Sequence, residues 1–140
     1  MKVADGPALA GVDQSPGDVV RAISDTLPDG LIAVDGRGLL AFANLRAEEI
    51  LQAPIGDCIG RPIREALPLW DSEGRPWWDV ANPWTALHTV KGHREKLLWT
   101  SDGVEVLATA RYLRSAPREP VERVVVALRG AVARQRAERD

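Results

Sequence analysis

The chain has 140 residues, of which 45% are hydrophobic and 27% are charged, and this composition is ordinary for one soluble globular domain with its own core. The net charge of −2 gives no reason to expect nucleic acid or an acidic membrane surface as a partner. Even the longest wholly apolar runs, such as Val124 to Leu128, are too short to span a bilayer, so no membrane insertion is expected. A lone Cys58 excludes an internal disulfide and fits a reducing compartment, which predicts a cytoplasmic location.

The N-terminal region divides into two parts. Residues 1–16 contain glycines and prolines without a sustained period and are predicted to be a flexible lead. A helix is expected from Asp18 to Thr26, with apolar residues at Val19, Val20 and Ile23. The folded domain is therefore expected to span residues 17–129, and residues 130–140 to begin a charged linker helix.

A β-hairpin is predicted next. The apolar runs Leu31–Val34 and Leu39–Ala43 flank Asp35-Gly36-Arg37-Gly38, where both glycines are expected to take the positive φ of a tight turn. Asn44 is expected to cap a following helix that buries Ala47, Ile50 and Leu51.

The middle of the chain is rich in breakers and tryptophan. Pro62 is expected to open a short helix through Leu67. The stretch Pro68–Pro83 is predicted to be irregular, and it and its flank hold Trp70, Trp77, Trp78 and Trp84. These side chains either line a pocket or belong to the core. Because Trp77 and Trp78 are adjacent, at least one of the two rings is expected to be exposed. A helix capped by Asn82 is expected over Asn82–Val90.

After Gly92 the apolar period changes to two. Strands are predicted over Lys96–Thr100, Val104–Leu113 and Val121–Leu128, with a hairpin turn at Ser101-Asp102-Gly103. The connections are too short for crossovers, so these strands form an antiparallel meander. The predicted fold is α+β: a five-stranded antiparallel sheet with short helices on one face and helices at both termini.

The order of these motifs resembles the PAS domain family over roughly Asp18–Arg129. The hairpin with Asn44 and its helix carries most of the resemblance. Ile59-Gly60-Arg61-Pro62 is similar to the family's turn after the first helix, and Asp102-Gly103 to its later hairpin. The resemblance implies the same fold and a sensor or dimerisation module rather than a catalyst.

One junction departs from the family pattern. The family often follows its last strand with Asp-Ile-Thr-Glu, whose acidic residue can couple the core to an output helix through a salt bridge. Here the sequence is Arg129-Gly130-Ala131-Val132, so the acidic residue that makes this salt bridge is absent. The tail resembles a linker helix to an output domain, most often in a histidine kinase; we expect an N-terminal fragment of a longer signalling protein, and the alternative is a natural end.

The resemblance also implies a ligand site between the sheet and the predicted helix Asn82–Val90, for a small apolar or planar ligand. Its expected walls are apolar residues of the surrounding elements: Ile32, Val34, Phe42, Trp84, Leu87, Leu98 and Val106.

No cofactor is expected. His88 lies where haem-binding relatives place an iron ligand, so a haem-based gas or redox sensor is an alternative, but a lone imidazole specifies little. His93 is expected at the surface. Cys58 lies in Gly56-Asp57-Cys58-Ile59-Gly60, which does not match the Asn-Cys-Arg-Phe-Leu-Gln of flavin-binding relatives.

Four functions of different classes follow. The leading one is a regulatory sensor module that binds a small ligand or partner and relays its state through the C-terminal helix. The others are a ligand-free dimerisation or docking module, a haem sensor, and an α+β enzyme such as an isomerase, for which the sequence has no catalytic motif. A homodimer through the terminal helices is expected, with an output domain as a further partner.

Overall fold

The structure is a computed structural model that describes residues 29–85 and 90–131. The predicted lead, the helix Asp18–Thr26, residues Leu87 and His88, and the tail after Ala131 lie outside the described residues. The strands are β1 (Gly30–Asp35), β2 (Leu40–Ala43), β3 (Leu69–Trp70), β4 (Gly92–Thr100), β5 (Glu105–Leu113) and β6 (Arg123–Gly130). The α-helices are α1 (Leu45–Leu51), α2 (Ile63–Ala66) and α3 (Trp77–Ala81), and 3₁₀ turns span Ile55–Cys58 and Pro83–Thr85.

The described strands form one antiparallel sheet in the order β2-β1-β6-β5-β4-β3. The first and last long strands are neighbours, so that Leu31 lies opposite Ala127. The predicted α+β class and the antiparallel meander β4-β5-β6 are confirmed. The sheet has six strands rather than five, because Leu69 and Trp70 pair with Thr100 and Trp99. Two residues are too few to show an alternating pattern in sequence.

The first hairpin turns as predicted, with one difference at its glycines. Gly38 has a φ of +85°, whereas Gly36 is not in the positive-φ region. Gly36 is limited by space instead, since a Cβ there would lie 3.2 Å from the Val121 carbonyl oxygen. Asp35 accepts hydrogen bonds at Oδ1 from the N–H groups of Arg37 and Leu39, at 2.8 and 3.0 Å. These bonds fix the turn that orients β2.

Asn44 caps α1, as predicted. Its Oδ1 accepts from the N–H of Ala47 at 2.8 Å and from the N–H of Leu31 at 2.9 Å, while its Nδ2 donates to the Asp29 carbonyl at 3.3 Å. The side chain is fully buried. One amide therefore starts the helix and also ties it to β1.

A single core cluster lies between the inner face of the sheet and the short helices. The alternation on β5 places Val106, Ala108, Ala110 and Tyr112 in this cluster, as expected. Helix α1 buries its three predicted residues against β1 and β6. On the outer face, Leu107 is also buried, and an ion pair from Arg129 to Glu95 at 2.7 Å spans the strand that carries it.

The predicted helix Asn82–Val90 begins differently from expectation. Asn82 has a φ of +39° and ends α3, donating its N–H to the Trp78 carbonyl at 3.0 Å. A 3₁₀ turn follows at Pro83, and residues 86–89 are not described. The segment expected to be irregular thus already contains a short helix, because Pro76 can precede a helical turn without losing a hydrogen bond. Within the described part of the chain, no helix is long and apolar enough to cross a membrane.

Candidate functional site

Five aromatic side chains form a continuous cluster where α3 meets the sheet, and we call this set the aromatic cluster: Trp77, Trp78, Trp84, His93 and Tyr112. The ring centroids of Trp84 and Trp78 are 6.2 Å apart, and those of Trp78 and Trp77 are 4.8 Å apart. Trp77 lies 6.2 Å from His93, which lies 5.3 Å from Tyr112. The contacts other than the tilted Trp78–Trp84 pair are edge-on, an arrangement that is favourable for aromatic rings. The cluster therefore joins the helical layer to strands β4 and β5.

Trp77 and Trp78 are both buried, which corrects the expectation that one of them is exposed. In an extended chain neighbouring side chains point to opposite sides, but these residues open helix α3, where neighbours differ by about 100°. Trp78 donates from Nε1 to the Leu67 carbonyl at 2.8 Å, so its one polar atom is satisfied inside the core. Both rings belong to the core cluster.

Trp84 lies at the edge of the cluster and is half-buried. Its Nε1 donates to the Asp35 carbonyl at 3.1 Å, linking the 3₁₀ turn to the first hairpin. A Cβ on Gly38 would lie 3.7 Å from its ring. Trp84 also lines a surface cleft of about 320 Å³ together with Arg37, Arg64 and Asn82. It is thus both a packing residue and a wall open to solvent.

His93 is half-buried in β4 and hydrogen-bonded, which corrects the expectation of a surface turn. Its Nε2 forms a hydrogen bond with the Tyr112 hydroxyl, which lies 3.3 Å from the Ala81 carbonyl oxygen. Burial, with a smaller effect of the Lys96 charge, lowers the pKa of His93 below 6.5, while the Ala81 carbonyl opposes this change. Burial raises the pKa of Tyr112 to about 12, so the phenol keeps its proton at any physiological pH.

The structure brings together four of the residues expected to line a ligand site. Ile32, Val34, Leu98 and Val106 are fully buried in the core cluster, on the sheet face that carries Tyr112. Trp84 packs against the same cluster. Leu87 lies outside the described residues.

Phe42 does not join this set. It lies opposite Ala33, whose neighbours Ile32 and Val34 both point into the core, so Phe42 is on the other face of the sheet. An irregularity in the pairing places Leu40 opposite Val34 and leaves an extra residue, Ala41, in β2. The bulge brings Leu40 and Ala43 to the inner face, and strict alternation would not have shown this.

Sequence reasoning missed the hydrogen-bonded pair His93 and Tyr112. Tyr112 was correctly placed on the inner face by the period of β5. His93 was not, because β4 begins earlier than its apolar pattern and contains a register shift between His93 and Lys96. The one available signal was Gly92: a Cβ there would lie 2.1 Å from the Ala110 carbonyl oxygen, so the glycine marks close strand pairing rather than a turn.

The described residues contain no group of three potential metal ligands. Cys58 is half-buried at the end of a 3₁₀ turn and packs against the core cluster. His88 lies outside the described residues, so its side chain has no described position.

A second concave surface lies on the outer face of the sheet. It is a groove of about 730 Å³ whose floor includes Val125, Ala127 and Leu113, and whose rim carries Lys91, Arg94 and Arg111. We call this the outer groove. Its floor lies on the sheet face opposite Tyr112, since residues of β5 alternate between the two faces, but His93 of the aromatic cluster also lines it.

Comparison with known proteins agrees with this architecture. Residues 19–75 match the family model described as the PAS fold. Among curated proteins, none matches this sequence. One similar structure is the PAS domain of a protein from Colwellia psychrerythraea, with a TM-score of 0.56 and 13% identity over 81% of this chain and 95% of that chain.

Two further similar structures are a LOV protein and a second PAS domain. The Rhodobacter sphaeroides LOV protein gives a TM-score of 0.58 and 16% identity over 84% of this chain and 67% of that chain. The PAS domain of nitrogen regulation protein NR(II) from Vibrio parahaemolyticus gives a TM-score of 0.53 and 11% identity over 80% of this chain and 97% of that chain. Identities this low establish a common fold alone. The family match over residues 19–75 and the shared fold together confirm the resemblance seen in the sequence: this chain has the PAS fold.

Proposed function

We propose that this chain is the sensor module of a signal-transduction protein. PAS domains are sensory modules, generally non-catalytic, and they often sit in multidomain signalling proteins. In this proposal the domain binds a small apolar or planar ligand and relays its state through the helix after Gly130 to an output domain. The proposed parent is a cytoplasmic two-component histidine kinase.

The observation that carries the proposal is the aromatic cluster beside a wall of fully buried apolar residues. The proposed ligand site comprises this wall, Ile32, Val34, Leu98 and Val106, together with Trp84 and Leu87. Trp84 supports it most directly, since the ring packs on the core and also lines a cleft open to solvent. Pockets for small ligands in proteins are commonly apolar and aromatic, with few polar groups.

Contacts at the end of β6 support the relay. Arg129 precedes Gly130 and donates from Nε and Nη2 to Glu95 on β4, at 3.0 and 2.7 Å. This pair links the sheet to the residue next to the proposed output helix, at the junction where the family's usual acidic residue is missing. Both side chains are partly exposed, so the ion pair adds little to the stability of the fold. Its role in this proposal is to position Arg129 relative to β4.

We propose that no haem, flavin or metal is bound. A similar structure is a LOV protein, but the residues around Cys58 differ from the flavin-binding sequence. The absorption spectrum of the purified protein tests this at once. A Soret or flavin band that disappears in H88A or C58A would contradict the proposal and favour a haem or flavin sensor.

Native mass spectrometry of the chain, purified gently from its expression host, tests the ligand. We expect a retained small molecule in the wild type, its loss in W84A and L87A, and its retention in L113A. Leu113 is a matched control because it is an exposed aliphatic residue on the outer face. Retention in all three variants, or loss in L113A, would contradict the proposed site.

A second candidate is a ligand-free dimerisation or docking module, and the outer groove favours it. Its apolar floor and three cationic side chains form a concave surface on the sheet face away from the ligand site. A second copy of this chain is the occupant we propose, because PAS domains often dimerise. A wild-type dimer with no retained small molecule would select this candidate over the sensor.

A further inference from the structure

His93 connects three elements through one hydrogen-bonded chain. The imidazole of β4 contacts the Tyr112 hydroxyl of β5, and that hydroxyl reaches the Ala81 carbonyl at the end of α3. On its other side the imidazole has an edge contact with Trp77, the first residue of α3. Both ends of this short helix therefore meet the same His93–Tyr112 pair.

The protons in the hydrogen bonds that join His93, Tyr112 and Ala81 can be assigned. Tyr112 has one hydroxyl proton and does not lose it, because its pKa is about 12. If that proton is donated to the Ala81 carbonyl, Nε2 of His93 must carry a proton and donate it to the phenol oxygen. The arrangement that makes both hydrogen bonds therefore uses the neutral Nε2–H ring, and a further proton goes to Nδ1.

That further proton would place on the ring a positive charge that burial and the Lys96 charge oppose and that the Ala81 carbonyl favours less strongly. The nearby strands carry mostly cations, with Lys91 just before β4, Arg94 and Lys96 on it, Arg111 on β5 and Arg114 just after it. The carboxylates Glu95 on β4 and Asp79 on α3 are paired with Arg129 and Arg64. Within residues 29–85 and 90–131, no carboxylate forms an ion pair with His93. A half-buried imidazolium beside Lys96 gains solvation by moving toward water.

We propose, on the premise of the sensor function above, that His93 is a proton-operated latch between α3 and the sheet. With the ring neutral, the latch is closed through Tyr112 and Ala81. Protonation draws the ring toward solvent, breaks its bond to Tyr112 and frees Trp77 at the edge of the proposed ligand site. Acidification is then a signal that acts on the same site as the ligand.

The test uses the indole and histidine ring signals of the intact chain in NMR spectra between about pH 8 and about pH 5. We expect the Trp77 indole signal to shift with a midpoint below 6.5, together with the His93 ring signals. H93Q, which keeps a hydrogen-bonding side chain but does not titrate, should abolish the Trp77 shift. H88Q, which removes the other histidine, should leave it intact.

Y112F provides an independent check if H93Q folds poorly. It removes the hydroxyl and keeps the titrating ring, so the Asn82 amide at the end of α3 should no longer respond to His93. A His93 midpoint at or above 6.5, or a Trp77 shift unchanged in H93Q, would overturn the latch. Ligand retention is measured separately. If the NMR results overturn the latch while the wild type still retains a small molecule that W84A loses, the proposed sensor function stands and only the latch is wrong.

Discussion

At the scale of single residues, the fold depends on two positions, Asn44 and Gly92. Asn44 is fully buried, and its one amide satisfies three backbone groups, two at the start of β1 and one in α1. Gly92 lies where β4 approaches β5 so closely that any side chain meets the Ala110 carbonyl. Asn44 acts through its hydrogen bonds, and Gly92 acts because it has no side chain.

We expect N44A to destabilise the domain by roughly 2–3 kcal/mol, because it removes a helix cap and leaves buried N–H groups without acceptors. Urea unfolding followed by far-UV circular dichroism measures this. N44D keeps the oxygen acceptor and should recover part of the loss. L45A, at an exposed neighbouring position, should change stability little, and an equal loss in L45A would contradict the assignment.

We expect G92A to be at least as damaging, by about 2 kcal/mol or more, because a Cβ 2.1 Å from the Ala110 oxygen forces the strands apart. The matched control is G130A, since a Cβ on Gly130 would have no atom within 4 Å. Thermal unfolding of both variants compares them directly. Equal melting temperatures would show that β4 and β5 need not approach closely at this point.

At the scale of elements, the turn after β3 depends on a buried carboxylate. Asp71 is almost fully buried, and its Oδ1 accepts from the N–H groups of Glu73 and Arg75 at 2.9 and 3.0 Å. Its Oδ2 accepts from Arg75 Nε at 3.0 Å. The backbone N–H of Arg75 is the main cause that lowers the pKa of Asp71 below 3.8, against the opposing effect of burial. The turn positions Pro76, and through it α3.

This turn should lose stability in acid. Because the folded state lowers the pKa of Asp71, its contribution is present above the unfolded value of 3.8 and is lost as the pH falls through the folded pKa. D71N keeps an acceptor oxygen without the charge, so it should melt below the wild type at neutral pH. The gap should close in acid. D57N, at an exposed position, should show no such trend, and a gap that widened on acidification would contradict this account.

At the scale of the whole molecule, the sheet separates two surfaces with different proposed roles. The inner face carries the aromatic cluster and the proposed ligand site, and the outer face carries the outer groove. Strand alternation makes this possible, since neighbouring residues of β5 serve opposite faces. The two surfaces meet at His93, which belongs to the aromatic cluster and also lines the outer groove.

We expect the intact chain to be a homodimer at tens of micromolar concentration, with contacts that include the terminal segments. The sequence pattern of Val19, Val20 and Ile23 provides apolar surface that pairing would cover. Light scattering on the intact chain and on a version lacking residues 1–26 measures this. A monomeric intact chain, or an unchanged dimer after truncation, would argue against the N-terminal segment as the main contact.

The sequence by itself determined the order and type of most elements, because those signals are local. The Asp35–Gly38 turn, the Asn44 cap and the alternation of β5 each depend on residues within a few positions of one another. Their order was enough to indicate the PAS fold.

Only the tertiary structure decided which side chains meet. A bulge moved Phe42 off the inner face, the helix α3 buried both adjacent tryptophans, and a register shift in β4 brought His93 to Tyr112, nineteen positions along the chain. Strand β3 forms because Leu69 and Trp70 pair with Thr100 and Trp99 of β4. Pairing register and long-range contact are set by the whole packed core, so no local window of sequence contains them.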